Sequence, residues 1–210
     1  MIKYVVLIIS FTLVSCSTLP PVAYLDVIES SYRAIAGYPD KKITESFYKE
    51  QKYSFAKARV GNSEDVILVL SKIEGEIYKW VSADNSSIFT LQGRIIGIDG
   101  FARSFRVRNP RKGNEFFKSK DRFYYETMDF FSPELYGSTA RSHVYEKRIS
   151  EFNYLSQDID IEIIHEELYL DNIGWRVKNK YYYSEELGVL RAEQKVHPLF
   201  PEIKIEFYLK

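Results

Sequence analysis

The sequence predicts a mainly β domain: an antiparallel barrel-like or sandwich meander of about 10–12 strands with a small N-terminal helix. Three observations carry this reading. Aromatic residues are abundant, with 17 Tyr, 14 Phe and 2 Trp against only 2 Met. Rings of this kind suit pleated, half-buried surfaces. From residue 53 onward apolar and polar residues alternate at period two, the signature of strands. The segments between these runs are short and rich in Gly, Asn, Asp and Ser, and no long helix is available to build parallel crossovers.

Composition narrows the function classes. The chain has 210 residues and carries 29 Lys+Arg against 29 Asp+Glu, so it lacks the basic excess of a general nucleic-acid binder. A 45% hydrophobic fraction supports a real core. The single Cys excludes an intramolecular disulfide and any zinc site that needs two thiolates.

Residues 1–15 read as a signal peptide that is removed. Lys3 gives a positive start and Tyr4 to Val14 an apolar run, shorter than the roughly 20 residues of a membrane span. The run ends in Leu13-Val14-Ser15-Cys16, which resembles the lipobox of bacterial lipoproteins. That resemblance implies cleavage before Cys16, a diacylglycerol on its thiol and an acyl chain on its amino group. Ser17 stands where Asp would retain the protein in the inner membrane, which resembles an outer-membrane lipoprotein facing the periplasm. The plainer alternative is a cleaved signal followed by an incidental Cys. Residues 16–24 form a short lipidated tether stiffened by Pro20-Pro21.

Residues 25–210 read as a single β-rich domain. Leu25, Ile28, Tyr32 and Ile35 fall on one helical face, closed by Gly37 and Pro39. Thr44-Glu45-Ser46-Phe47 starts one more helical turn. Strands follow at 53–60, 66–73, 76–82, 87–92, 94–98, 123–131, 141–154, 158–170, 175–184, 188–196 and 203–209. Only the polar stretch 109–120 offers an internal boundary.

Several constellations bear on chemistry. Asp158, Asp160 and Glu162 share one strand face. They could serve as a cation site or as acids acting on sugar, or simply form a solvated face. Arg103, Arg106, Arg108, Arg111, Lys112, Lys118, Lys120 and Arg122 form a basic stretch that could meet lipid phosphate or an acidic polysaccharide, or be balanced by acids elsewhere. His143, His165 and His197 are scattered with no metal-ligand spacing. Neither a nucleophile elbow nor a dinucleotide loop is present. The rings of 123–125 and 181–183 alternate between core and surface, where an exposed one could stack on sugar.

Trp80-Val81-Ser82-Ala83-Asp84, Leu91-Gln92-Gly93-Arg94-Ile95-Ile96 and Gly100-Phe101 resemble the core signature of the YjbF/GfcB-type lipoproteins of group 4 capsule and exopolysaccharide operons. Asn179-Lys180-Tyr181-Tyr182, Gly188-Val189-Leu190-Arg191-Ala192-Glu193-Gln194 and Pro198 resemble the family's closing segment; Tyr182 and Ala192 depart from its usual Trp and Ser. The resemblance implies a barrel-like domain and a non-enzymatic role in producing or exporting a surface polysaccharide, beside an outer-membrane β-barrel secretion protein. It implies no cofactor. Trp80 would fill the barrel and Gly93-Arg94 turn a corner, the Arg94 guanidinium being able to hold a carboxylate. Trp80, Arg94, Arg103, Arg106 and Arg108 are the candidate contacts for a partner or an acidic polysaccharide. A polysaccharide-modifying enzyme and a periplasmic carrier of lipid or another small ligand are the alternative readings.

Lipidation has a direct check. Cells fed radiolabelled palmitate are expected to label the wild-type protein, and Cys16→Ala is expected to lose the label and leave the membrane fraction.

Overall fold

Period-two patterning becomes a sheet that closes on itself. The structure, a computed structural model, describes residues 37–111, 117 and 123–210. Cys16, the tether and the expected helix face at 25–35 lie outside the described residues. The chain divides into two units, Met1–Pro39 and Asp40–Lys210.

The second unit starts with helix α1 (Glu45–Glu50). Thr44 caps it by accepting a 3.2 Å hydrogen bond from the Phe47 N–H, and Lys49 pairs with Glu45 one turn earlier. Twelve strands follow: β1 (Phe55–Val60), β2 (Val66–Glu74), β3 (Ile77–Val81), β4 (Ser87–Leu91), β5 (Arg94–Asp99), β6 (Phe105–Val107), β7 (Phe123–Phe131), β8 (Glu134–Tyr154), β9 (Gln157–Leu170), β10 (Trp175–Ser184), β11 (Gly188–Gln194) and β12 (Ile203–Tyr208). Each pairs antiparallel with the next, and β1 pairs with both β2 and β12. The product is a closed twelve-stranded meander barrel, which settles the choice between barrel and sandwich. Closure removes the two outer edges that an open sheet of these strands would leave, where unpaired backbone groups would recruit other strands.

Two expectations need correction. β6 lies inside what reads as a basic loop, because Arg103, Arg106 and Arg108 mask a two-residue apolar alternation at Phe105 and Val107. This three-residue strand bridges β5 to β7. β8 starts at Glu134 rather than near residue 141. Gly137 and Ser138 look like turn chemistry but belong to the ladder, and the Gly137 N–H donates to the Asp129 carboxylate at 2.7 Å beside a β7 bulge.

A barrel's diameter grows with strand number, and about eight strands already give an interior that side chains just fill. Twelve would leave a lumen unless the walls approached. Here they do. In a ring of twelve, β5 and β11 lie opposite each other. Yet the Gln194 side-chain oxygen on β11 accepts from the Ile95 N–H on β5 at 2.8 Å. Gly93, at φ +86° in the β4–β5 turn, sits directly against Val189. The barrel is therefore pinched, and its interior is filled. Trp80 is fully buried, donates to Thr90 at 2.8 Å and packs 5.4 Å from the Phe207 ring. Ala56 and Ala58 on β1, Ala140 on β8 and Ala192 on β11 are buried, and their small side chains let the walls close in.

Outer surfaces are covered unevenly. α1 packs on β1 and β12 through Phe47 and Phe55, whose ring stacks on Tyr208 at 4.9 Å. β8 and β9 outrun their neighbours, and the tip of their hairpin lies against β12. The Tyr154 hydroxyl donates to the Phe207 carbonyl at 3.0 Å, and its ring stacks on Tyr208.

Gly93 tests the pinch. A Cβ there would lie 2.3 Å from the Val189 Cβ. Clash and left-handed strain together predict that Gly93→Ala loses about 2–4 kcal/mol. Adding Val189→Ala should recover the clash component and leave the backbone component, as read by urea unfolding.

Candidate functional site: a polar network inside the pinched barrel

Polar side chains from five strands meet in the interior. Arg94 on β5 forms a two-pronged ion pair with Glu126 on β7, at 3.2 and 2.6 Å. Glu126 also accepts from the Arg111 N–H at 2.7 Å. Glu166 on β9 accepts from the Asn179 amide at 2.9 Å and the Tyr181 hydroxyl at 2.7 Å, both on β10. Gln194 donates to the same hydroxyl at 2.9 Å while its oxygen holds Ile95. The Asn179 oxygen accepts from Lys195 N–H at 2.9 Å. All six side chains are buried.

Electrostatics explain why these charges persist in a low-dielectric interior. Burial alone would weaken the Arg94 guanidinium's hold on its proton, but the Glu126 and Glu166 charges outweigh it and raise its pKa. Burial would raise the Glu126 carboxyl. The Arg94 charge and hydrogen bonds, joined by Arg111, override it and hold the group below its ordinary value. Tyr181 is pushed well above the usual phenol range by burial and by Glu166, so it stays a donor. The cavity bordered by Arg94, Glu126, Glu166, Asn179 and Gln194 is about 20 Å³, room for a single water at most. The network therefore ties walls together and has no space for a substrate.

Larger spaces lie at one end of the barrel. A cavity of about 380 Å³ is lined by the Gly75-Glu76 and Gln92-Gly93 turns, with Tyr78, Trp80 and Phe207 among its walls. Phe117 enters it, edge-on to Tyr181 and stacked on Tyr183. Beside it a groove of about 490 Å³ carries Asp160, Glu162 and Glu185, with Lys147 Nζ 3.5 Å from Glu162. Asp160 and Glu162 thus share a face as their spacing predicts, while Asp158 accepts from Asn153 at the hairpin tip. Among the described residues no His, Asp and Glu cluster has metal-binding geometry.

The predicted contact residues scatter. Trp80 and Arg94 are buried, so neither is offered to a macromolecular partner; that expectation is corrected by the barrel's inward register at both positions. Arg103 donates to the Ser132 hydroxyl at 3.0 Å. The Arg106 guanidinium lies 4.0 Å over the Phe89 ring. Arg108 forms a two-pronged pair with Asp129 at 2.5 and 2.9 Å, which depresses the Asp129 pKa. The basic stretch is thus answered locally at these positions; Lys112, Lys118, Lys120 and Arg122 lie outside the described residues. His197 is buried with its Nδ1 accepting from Leu199 N–H, and burial lowers its pKa. The network's acids escape the sequence reading, although a signal exists. Glu126 shares parity with Tyr124 and Met128, and Glu166 with Ile164 and Leu168, so each is a charge in an apolar register.

Fold and site together define a closed antiparallel barrel filled by its own side chains and cross-braced by a buried ion network. The segments around Gly93-Arg94, Asn179-Tyr181 and Gly188-Gln194 converge on that brace. The chain belongs to the group 4 capsule polysaccharide lipoprotein family (gfcB, YjbF), whose model matches residues 29–208. This membership places it in the cell envelope. A similar fold occurs in the crystal structure of the hypothetical lipoprotein YmcC from Escherichia coli (K12), with a TM-score of 0.71 and 15% identity over 87% of this chain and 95% of that one. The curated proteins offer no match to the chain.

Removing one partner of a buried ion pair costs about 3–5 kcal/mol. Arg94→Met should lose stability of that order at pH 7. The sign with pH follows from Glu126, whose folded pKa lies below its ordinary 4.5. Its contribution is present above about pH 4.5 and is lost as pH falls through the lower folded value. In Arg94→Met the buried carboxyl gains by taking up a proton, so the deficit against wild type should shrink between pH 7 and pH 4. Urea unfolding at both pH values measures this; an unchanged deficit would assign the loss to packing.

Proposed function

We propose that this chain is an outer-membrane lipoprotein, anchored through Cys16 and facing the periplasm, that assists production or export of a surface polysaccharide by binding partner proteins. The carrying observation is family membership across residues 29–208. The barrel supports a binding role over catalysis, because its deepest polar residues satisfy one another around a space too small for a sugar. A partner surface is also on hand. Ile67 and Val69 leave 38% and 43% of their areas exposed on the outer face of β2, an aliphatic pair of the kind a protein partner covers. An outer-membrane β-barrel secretion protein fits such a role.

The end cavity of about 380 Å³ favours one second reading, a carrier of a small amphipathic ligand, since ligand sites start near about 300 Å³. Native mass spectrometry of the protein extracted from membranes separates the two: a stoichiometric bound lipid or glycan supports the carrier.

Deleting the gene is expected to lower surface polysaccharide, and Cys16→Ala is expected to complement poorly. Unchanged polysaccharide in the deletion overturns the proposal. Replacing Ile67 and Val69 together with Ser should abolish membrane crosslinks to the partner without unfolding the barrel.

A further inference from the structure

The outer face of β7–β10 has a pattern the barrel does not need. Register places Tyr125, Arg141, Tyr169 and Arg176 in one row across four strands. The next row is Phe123, His143, Glu167 and Lys178. Strands lie about 4.8 Å apart, so a row runs roughly 14 Å. Cations lie on rings throughout: Arg141 is 4.8 Å and Arg176 5.1 Å from the Tyr169 ring centre, and Lys178 is 5.5 Å from that of Tyr145. His143 stacks on Phe123 at 4.6 Å. Tyr125 is 61% and Phe123 50% exposed.

Such stacking holds guanidinium and ammonium groups in place before any ligand arrives, which lowers the ordering cost of binding. The remaining ring surface is flat and apolar. Arg141, Arg176, Lys178 and Lys180 stand against Glu146, Glu167 and Asp171 on this face. Glu167 is itself held by Arg176 at 2.8 Å and by the Tyr169 hydroxyl. Asp171 lies 3.5 Å from Arg141. The adjoining outer face of β1, β11 and β12 differs. There Lys57, Arg59 and Arg191 are matched by Asp40, Asp65, Glu193 and Glu206 in a closed set of ion pairs.

We propose that the outer face of β7–β10 binds a linear anionic polysaccharide, its sugar faces against Tyr125 and Phe123 and its acidic groups on Arg141, Arg176 and Lys178. Carboxylate-bearing sugars suit the Arg forks, which grip two oxygens at once. An anionic membrane suits the face less well, because Glu146 and Glu167 sit among the cations. This inference rests on the polysaccharide role proposed above and specifies which polymer chemistry the protein meets.

Full-length protein in detergent is tested with alginate as the uronic-acid probe, dextran as the neutral polymer and phosphatidylglycerol vesicles as the anionic surface. Alginate is expected to bind, more weakly as salt rises, and dextran is not. Tyr125→Ala with Arg176→Gln should weaken alginate binding at least tenfold at unchanged melting temperature, while Lys72→Gln on β2 should not. Hydrogen exchange on the wild type gives a second reading that needs no variant: alginate should protect residues 139–145 and 165–178. Absent alginate binding, equal binding by the double variant, or protection elsewhere overturns the proposal. Vesicle binding lost through the same two residues, with alginate unbound, overturns it in favour of a membrane surface. In cells the two proposals part. If deletion leaves polysaccharide unchanged, the functional reading fails. If deletion lowers it and Tyr125→Ala/Arg176→Gln complements fully, only the binding face fails.

Discussion

The contact between Gln194 and the Ile95 backbone, with Arg94 locked onto Glu126 beside it, sets the shape of this protein. A sheet of twelve strands closes easily into a wide ring, and a wide ring has a wet lumen. Here diametrically opposed strands come within hydrogen-bonding distance, and the lumen becomes a core. Gly93 makes the approach sterically possible, and buried alanines on β1, β8 and β11 leave room for it. The ion network makes the approach specific. Only one register brings Arg94, Glu126, Glu166, Tyr181 and Gln194 into mutual reach, and any slip would strand a charge in the interior, which is costly.

Filling the interior leaves the outer walls as the surfaces on which the proposed partners would be met. The walls are divided by character. α1 and the tip of the β8–β9 hairpin cover part of β1 and β12. β2 shows an exposed aliphatic pair, Ile67 and Val69, and β7–β10 shows ordered cations on rings. A closed barrel with differentiated faces holds each of those faces in fixed geometry.

Much of the barrel is legible in the chain. Period two marks eleven of the twelve strands. The two-residue turns at Gly75-Glu76 and Gln92-Gly93 fix hairpin registers locally, since they demand left-handed backbone. The strand that escapes, β6, is three residues long and lies among arginines, too short for alternation to register. The onset of β8 escapes for a related reason: Gly137 and Ser138 carry turn chemistry, and only pairing with β7 decides their state. The site is less legible. Arg94 stands out as a carboxylate holder, but its partner is 32 residues away and inside the same chain.

The sequence by itself determined the alternation, the turns, the capped helix and the lipobox resemblance, because all of these are local. Tertiary structure decided which residues are interior. Trp80 and Arg94, read as possible contacts, became wall braces once opposite strands met. Glu126 and Glu166, silent in the sequence, became the electrostatic complement of Arg94. A charge in an apolar register has no local explanation; its reason is a partner that only the closed, pinched barrel brings near.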